Sequence, residues 1–381
     1  MSKHLLLINF ICLVGFNAVF GQWENNSINS GGITRNYRVY ISPNYSVSNP
    51  ASLIIALHGL GDNMTNFSNT LKFNHIADTA NIICIYPQAE YDIFVGAAWN
   101  SSAGLWGYYP NAFVDDIGFI NELADAAIAE YAIDSRHIYL CGFSMGGFMT
   151  QKIALLSNSR FAAFASISGT IGNGITGIDP GRSVPIAHFH GTADSVVKYI
   201  NNDYGVDADS LIGFWTGNNL CSNVPVIYKY PDLVNDGITA ERFEYHSTDK
   251  SNADVFFYKL VGANHYILST PQNDVDQALE TWLFLRRYSL NITDIQESSS
   301  NPEYISVFPN PANDRIFVKS NTPYWGTDII MSINNLQGQL VHQQVLKKEL
   351  EEADLSELIR GIYIINFNDG LHSKNHKLVK Q

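Results

Sequence analysis

Short, mostly apolar runs alternate through the middle of the chain with stretches whose apolar residues recur every three or four positions. Ser52–Leu57, Ile82–Tyr86, His137–Cys141, Phe164–Ile167 and Pro185–His190 are runs of the first kind. A run that is apolar on both alternating sets of positions predicts a strand covered on both faces, as in a parallel sheet. Asn36–Ile41 alternates instead and predicts a first strand; Arg242–His246 and Asp254–Val261 predict two further strands, the latter a buried one. Helical spacing falls between them, over Asn66–Ala80, Val114–Tyr131, Phe148–Leu156, Asp209–Asn218 and Asp274–Arg287. Strand and helix in alternation predict an α/β domain with a mostly parallel sheet over residues 36–288. The polar stretch 22–35 reads as a loose lead-in, and the Ser-rich stretch 289–303 as a linker. Beyond it come short alternating segments, Ile305–Phe308, Arg315–Lys319, Ile329–Ile333, Leu340–Val345 and Ile362–Phe367, separated by turn residues such as Asn310-Pro311 and Asn368-Asp369-Gly370. They predict a small all-β sandwich over residues 304–381.

Length and composition agree with two or three domains: 381 residues, 46% hydrophobic and 15% charged. The net charge of -13, with no long basic run, argues against nucleic acid and anionic membrane surfaces as partners. At the N-terminus, Lys3 and His4 precede the apolar run Leu5–Val14 and then small residues up to Gly21. That is the pattern of a secretory signal over residues 1–21, too short in its apolar part for the ~20 residues a membrane span needs. Of four cysteines, Cys12 lies in that signal; Cys84, Cys141 and Cys221 remain, an odd number that allows at most one disulfide. Cys84 and Cys141 lie in apolar strands, as buried small residues do. No cofactor or metal-binding array stands out. His188-x-His190 shares one strand face but lacks a third ligand nearby.

One stretch carries a chemical pattern. After the strand His137–Cys141 comes Gly142-Phe143-Ser144-Met145-Gly146-Gly147, and then a helix. G-x-S-x-G between strand and helix marks a nucleophile elbow, where glycines two residues either side let strand and helix close on a serine at a sharp turn. Such a turn aims Ser144 Oγ above the sheet and the Met145 N–H at a forming oxyanion. A serine nucleophile needs a base, and the base needs an orienting acid. In this architecture both follow the serine, acid first, and sit just past strand ends. Asp194 follows the strand Pro185–His190, and His265 follows the strand Asp254–Val261. Asp115 and Asp116 precede the serine and suit a helix N-terminus. His58-Gly59-Leu60-Gly61 follows the first buried strand and offers the Leu60 N–H as a second oxyanion donor, with His58 in a structural role.

These motifs, LHGLGD at 57–62, VDDIGFI at 114–120, CGFSMGG at 141–147, HGTADSVV at 190–197 and GANH at 262–265, together with FWTGNNLC at 214–221, resemble a branch of the α/β-hydrolases. It is the branch of secreted polyhydroxybutyrate depolymerases and feruloyl esterases, close to carbohydrate esterase family one. The resemblance covers roughly residues 36–288 and implies Ser144 as nucleophile, Asp194 as acid, His265 as base, and Leu60 and Met145 as oxyanion donors. The chain departs from that branch at Ser101-Ser102, where cysteines are often found, and at Tyr266, in place of a Trp soon after the histidine. The tail, with VFPNPANDRIFV at 307–318, NLQGQLV at 335–341, GIYII at 361–365 and the final KLVKQ, resembles the type A C-terminal sorting domain of the type IX secretion system. That implies the secretion machinery as a partner and release outside the cell or at its surface.

The expectation is a secreted serine ester hydrolase without metal or organic cofactor. Its substrate would be a feruloyl or acetyl ester of plant polysaccharide, or a hydroxyalkanoate polyester. Trp99, Trp106, Tyr108 and Tyr109 are expected to line the substrate cleft. A secreted peptidase, a lipase, or an inactive binding protein of the same fold are the competing readings. They separate by peptide cleavage, by preference for long acyl chains, and by failure to react with an organophosphonate.

Overall fold

The computed structural model describes residues 21–290 apart from 105 and 250, and residues 305–380 apart from 310–311, 321–328, 336–339, 348–349 and 369–372. The expected signal, apart from Gly21, and most of the expected linker lie outside the described residues. The chain divides into two compact units, Met1–Asn291 and Ile292–Gln381.

In the first unit the strands are β1 (Gln22–Ser30), β2 (Ile33–Ile41), β3 (Ala51–Leu57), β4 (Ile82–Pro87), β5 (Tyr91–Asp92), β6 (Gly96–Ala97), β7 (Ile133–Phe143), β8 (Ala163–Ile167), β9 (Ile186–Gly191), β10 (Val226–Lys229), β11 (Thr239–Tyr245) and β12 (Val255–Val261). The helices are α1 (Met64–Leu71), α2 (Phe73–Ala77), α3 (Asp116–Glu130), α4 (Met145–Leu156), α5 (Ala208–Asn218) and α6 (Gln277–Leu285). Ten strands form one sheet in the order β1-β2-β4-β3-β7-β8-β9-β12-β11-β10. Its middle, from β4 to β12, is parallel; the outer strands are antiparallel. β5 and β6 make a separate two-stranded ribbon.

Both faces of the sheet are covered, which is why the central runs are mostly apolar on both alternating sets of positions. Along β3, Leu53, Ile55 and Leu57 join a core with Phe119 and Leu123 of α3 and Met149 and Ile153 of α4. Ile54 and Ala56 point the other way, into a core with Phe67 of α1, Phe73 of α2 and Phe284 of α6. Cys84 and Cys141 are buried in that second core as free thiols, and burial pushes both well above the ordinary thiol value.

Three features differ from the sequence reading. Residues 22–35 are not a loose lead-in: β1 pairs residue for residue with β2 through a turn at Gly31-Gly32, both at positive φ. Its alternation is hidden because most positions are Asn, Ser or Glu, but Trp23 packs 4.7 Å from Tyr40 and 4.0 Å from the Arg38 guanidinium. The single helix expected over residues 66–80 breaks at Lys72, in the left-handed region at φ 57. An unbroken helix would turn Leu71 and Phe73 about 200° apart; the break lets both enter the same core. The edge strand β10, with every residue exposed, carries no apolar alternation to announce it.

Arg35 of β2 ties the edge of the sheet to α3. Its Nη2 donates to Asp116 Oδ1 at 2.7 Å, with both side chains almost wholly buried, and the guanidinium lies 3.9 Å from the Phe119 ring. Asp115 caps α3 by accepting from the Gly118 amide at 2.8 Å. Removing one partner of a buried pair strands the other charge. Arg35→Ala is therefore expected to cost about 3–5 kcal/mol of unfolding free energy, read from urea denaturation. A loss below about 1 kcal/mol, the scale of a surface pair, would contradict this.

The second unit holds two sheets. β13 (Ile305–Phe308), β14 (Arg315–Ser320) and β17 (Leu350–Asp354) form one; β16 (Leu340–Leu346), β15 (Ile329–Asn335), β18 (Gly361–Asn368) and β19 (Ser373–Lys380) form the other. Ile316 and Val318 of the first and Met331, Ile333, Ile365 and Phe367 of the second share one core, so the unit is a β-sandwich. β17 and β19 are rich in charged residues and were not apparent from alternation.

Candidate active site

The loops of interest all leave the C-terminal ends of parallel strands: β3 into His58–Gly61, β7 into Ser144, β9 into Asp194 and β12 into His265. Ser144 stands between β7 and α4 with φ 54 and ψ -121, outside the conformations a serine ordinarily takes. The glycines explain how the turn closes. A Cβ on Gly142 would lie 2.3 Å from Gly146 O, and one on Gly146 would lie 2.1 Å from Leu57 O. No side chain fits either place. The Ser144 amide donates to Ile167 O at 2.8 Å, which fastens the turn to the neighbouring strand β8.

Ser144, His265 and Asp194 come together. His265 Nε2 is 2.8 Å from Ser144 Oγ, and His265 Nδ1 is 2.7 Å from Asp194 Oδ2. The carboxylate can only accept, so Nδ1 carries the proton and Nε2 is left to accept from the serine hydroxyl. Asp194 Oδ1 accepts from the Val196 and Val197 amides at 2.9 and 2.8 Å. Burial pushes the Asp194 carboxyl up, but the His265 hydrogen bond and charge and the Val196 amide outweigh it and leave the carboxyl below its ordinary value. The ring of Phe143 lies 4.9 Å from that of His265.

Asn264 joins the loop of the acid to the loop of the base, a role nothing in the sequence pattern signalled. Its Oδ1 accepts from the Ser195 amide at 2.9 Å, the Ser195 hydroxyl at 3.0 Å and the His265 amide at 2.8 Å. The approach is close: a Cβ on Gly191 would lie 2.3 Å from Ala263 O.

The other wall is built around His58, which is wholly buried. Its Nε2 accepts from the Ala89 amide at 3.1 Å, so the ring proton is on Nδ1, which donates to Gly59 O at 2.7 Å. Burial lowers the pKa of this imidazole. In a trans peptide the carbonyl and the following N–H point opposite ways. Holding the Gly59 carbonyl thus turns the Leu60 N–H away from the His58 ring. Gly59 itself borders the serine, since a Cβ there would be 3.3 Å from Ser144 Cβ. Leu60 is half exposed, and Met145 stands in the first turn of α4, where amides have no acceptor within the helix.

The four aromatic residues expected in the cleft divide. Trp99 is 0% exposed and cannot meet a substrate. Its indole N–H donates to His58 O at 2.9 Å and its ring lies 5.3 Å from the His58 ring, so it supports the His58–Gly61 loop from behind. A buried indole needs an acceptor, and a loop carbonyl supplies one. The adjoining Asn100 amide donates to Asp116 Oδ2 at 2.6 Å, which makes this dipeptide structural. Trp106 is 96% exposed. Tyr108 is exposed, donates its hydroxyl to Asp92 and meets Phe94 edge-on at 5.5 Å. Tyr109 is half buried against Gly104 and Gly174. Ala103, from the same loop, packs with Phe148 of α4 and Val197 of the acid turn.

Comparison with known proteins follows the same division of the chain. Residues 44–206 match a family model described as Phospholipase/Carboxylesterase; that match contains Ser144 and Asp194 and ends before His265. Residues 306–381 match the model described as Secretion system C-terminal sorting domain. Among curated relatives, a bifunctional acetylxylan esterase/xylanase of Neocallimastix patriciarum is 30% identical over 168 residues, which is 44% of this chain and 22% of that one. Feruloyl esterase B of Talaromyces stipitatus is 29% identical over 206 residues, 52% of this chain and 55% of that one. A poly(3-hydroxybutyrate) depolymerase of Ralstonia pickettii is 24% identical over 156 residues, 39% of this chain and 31% of that one. The chain spans about a fifth to somewhat over half the length of these relatives.

Proposed function

We propose that this chain is a carboxylic ester hydrolase that works through an acyl-enzyme on Ser144. Ser144 Oγ attacks the ester carbonyl while its proton passes to His265 Nε2, and Asp194 stabilises the imidazolium that forms. The oxyanion accepts from the Leu60 and Met145 amides. His265 gives its proton to the leaving alcohol, then draws one from water, whose attack releases the acid. The observation that carries this reading is the Ser144–His265–Asp194 line, with contacts of 2.8 and 2.7 Å. The carboxylesterase family match supports the choice of an ester over other acyl groups.

The relatives include proteins named for acetylxylan, feruloyl and hydroxybutyrate esters. We assign this chain an ester of that set, with Trp106, Tyr108 and Tyr109 as surfaces on which an aromatic acyl group or a sugar stacks. A panel of methyl ferulate, acetylated xylan, hydroxybutyrate oligomers, long-chain acyl esters and a peptide tests the assignment. Turnover is expected on at least one of the first three. Hydrolysis confined to long-chain esters or to the peptide would replace the reading with a lipase or a peptidase.

Export is the second half of the proposal, and it rests on the sorting-domain match at residues 306–381. In a host with that secretion system, a chain lacking these residues is expected to stay inside the cell envelope. Its undiminished appearance in the medium would remove the sorting role.

A further inference from the structure

Beside the candidate site runs a line of polar side chains that the proposed chemistry leaves unused. Trp215 of α5, Gln151 of α4, Ser166 of β8, and His188 and His190 of β9 are all 0% exposed. Trp215 Nε1 donates to Gln151 Oε1 at 2.8 Å, and Gln151 Nε2 donates to Ser166 Oγ at 2.8 Å. Ser166 Oγ is 2.8 Å from His188 Nδ1, His188 Nε2 is 3.0 Å from His190 Nδ1, and His190 Nε2 is 2.8 Å from Val197 O.

The two ends dictate the direction of every bond between them. An indole N–H only donates, so Gln151 presents its oxygen to Trp215 and its nitrogen to Ser166. Ser166, having accepted, has its own hydrogen for His188 Nδ1. At the far end a carbonyl only accepts, so His190 carries its proton on Nε2 and keeps Nδ1 free to accept from His188 Nε2–H. Five protons meet five acceptors, and both imidazoles are neutral Nε2–H tautomers. A further proton on either ring would reverse the Ser166–His188 bond and leave the serine hydrogen with no acceptor in the line. Burial agrees with this: it lowers the pKa of both rings, that of His188 strongly.

The line ends on the turn that carries Asp194. Val197 accepts from His190 through its carbonyl and donates to Asp194 Oδ1 through its amide at 2.8 Å. His190 Nε2 also lies 3.9 Å from Asp194 Oδ2, the oxygen that accepts from His265. Towards its other end, at Trp215, the line passes through Gln151, on the helix that Ser144 opens. We propose that His190 and His188 are positioning residues, a one-way hydrogen-bonded line that holds the Asp194 turn in register with the helix behind Ser144. This rests on Asp194 and Ser144 acting as proposed above.

Two measurements test it. The first uses the full-length wild-type chain with ¹⁵N-labelled histidine. At least two imidazoles are expected as neutral Nε2–H tautomers whose ¹⁵N shifts stay constant from about pH 5 to 9, distinct from the Nδ1–H tautomer of His58. A spectrum with fewer than two such rings overturns the proposal. The second is kinetic, on whichever ester is turned over. His190→Phe fills the space without either hydrogen bond. It is expected to lower kcat by about 10–100-fold, the effect of a misplaced catalytic group, with KM within about twofold. His190→Gln, which keeps a donor for Val197, should recover much of the loss. Wild-type kcat in folded His190→Phe would also overturn it. If that variant does not fold, Ser166→Ala takes its place with the same expected direction and the same overturning result. An inactive wild type would instead sink the ester-hydrolase reading, and the tautomer spectrum would still decide the line on its own.

Discussion

Ser144→Ala is expected to lower kcat for ester hydrolysis by about a millionfold, the scale on which a serine nucleophile and its base act as one unit. The physical reason is that Ser144 Oγ is the hydroxyl that meets His265 Nε2, at 2.8 Å. Met145 and Phe143 flank it, and the neighbouring positions are glycines whose Cβ would collide with backbone. Without Oγ there is no acyl-enzyme, and what survives is the contribution of the oxyanion donors and of binding. Alanine removes one atom and adds none, so the fold and KM should change little. Steady-state rates together with circular dichroism check this. A folded Ser144→Ala retaining more than about a hundredth of wild-type kcat would point to another nucleophile.

Asp194→Asn is expected to lower kcat by about ten-thousandfold with the geometry nearly intact. The amides of Val196 and Val197 both donate into Oδ1. An asparagine must therefore turn its oxygen towards them and its NH₂ towards His265 Nδ1. That nitrogen would then have to accept, which moves the ring proton to Nε2. A protonated Nε2 cannot take the proton of Ser144. The tautomer, rather than the position, is what fails. The same substitution has a consequence for stability. The Asp194 carboxyl is held below its ordinary value, so it contributes stability above about pH 4 that is lost as pH falls through its lower folded value. The Asn variant should show less of that acid sensitivity. A kcat within tenfold of wild type would detach Asp194 from the chemistry.

The sheet was legible because its central strands are buried on both faces and so read as nearly continuous apolar runs. Leu53 to Leu57 could be assigned from composition alone, since neighbours on both sides demand the same kind of residue. Ser144, Asp194 and His265 stood out for a related reason: each follows directly on such a run, where a parallel sheet delivers its loops. Residues whose partners are remote in sequence were not legible. Trp99 reads as a loop aromatic free for substrate, and only the His58 carbonyl 41 positions earlier makes it a buried support. Asn264 reads as a turn former until the Ser195 amide meets it. His188 and His190 look like half a metal site, and their meaning depends on Ser166 and Val197 at either end. β1 was hidden for another reason, as an edge strand needs to bury little and carries mostly Asn, Ser and Glu.

The central claim is that Ser144 is a nucleophile activated by His265. It is tested most directly by treating the full-length protein with a fluorophosphonate and locating the adduct by peptide mass spectrometry. The expected result is a single phosphonyl group on the peptide carrying Ser144, absent from Ser144→Ala and formed far more slowly in His265→Ala. An unlabelled wild type, or an adduct on any other residue, would contradict the account.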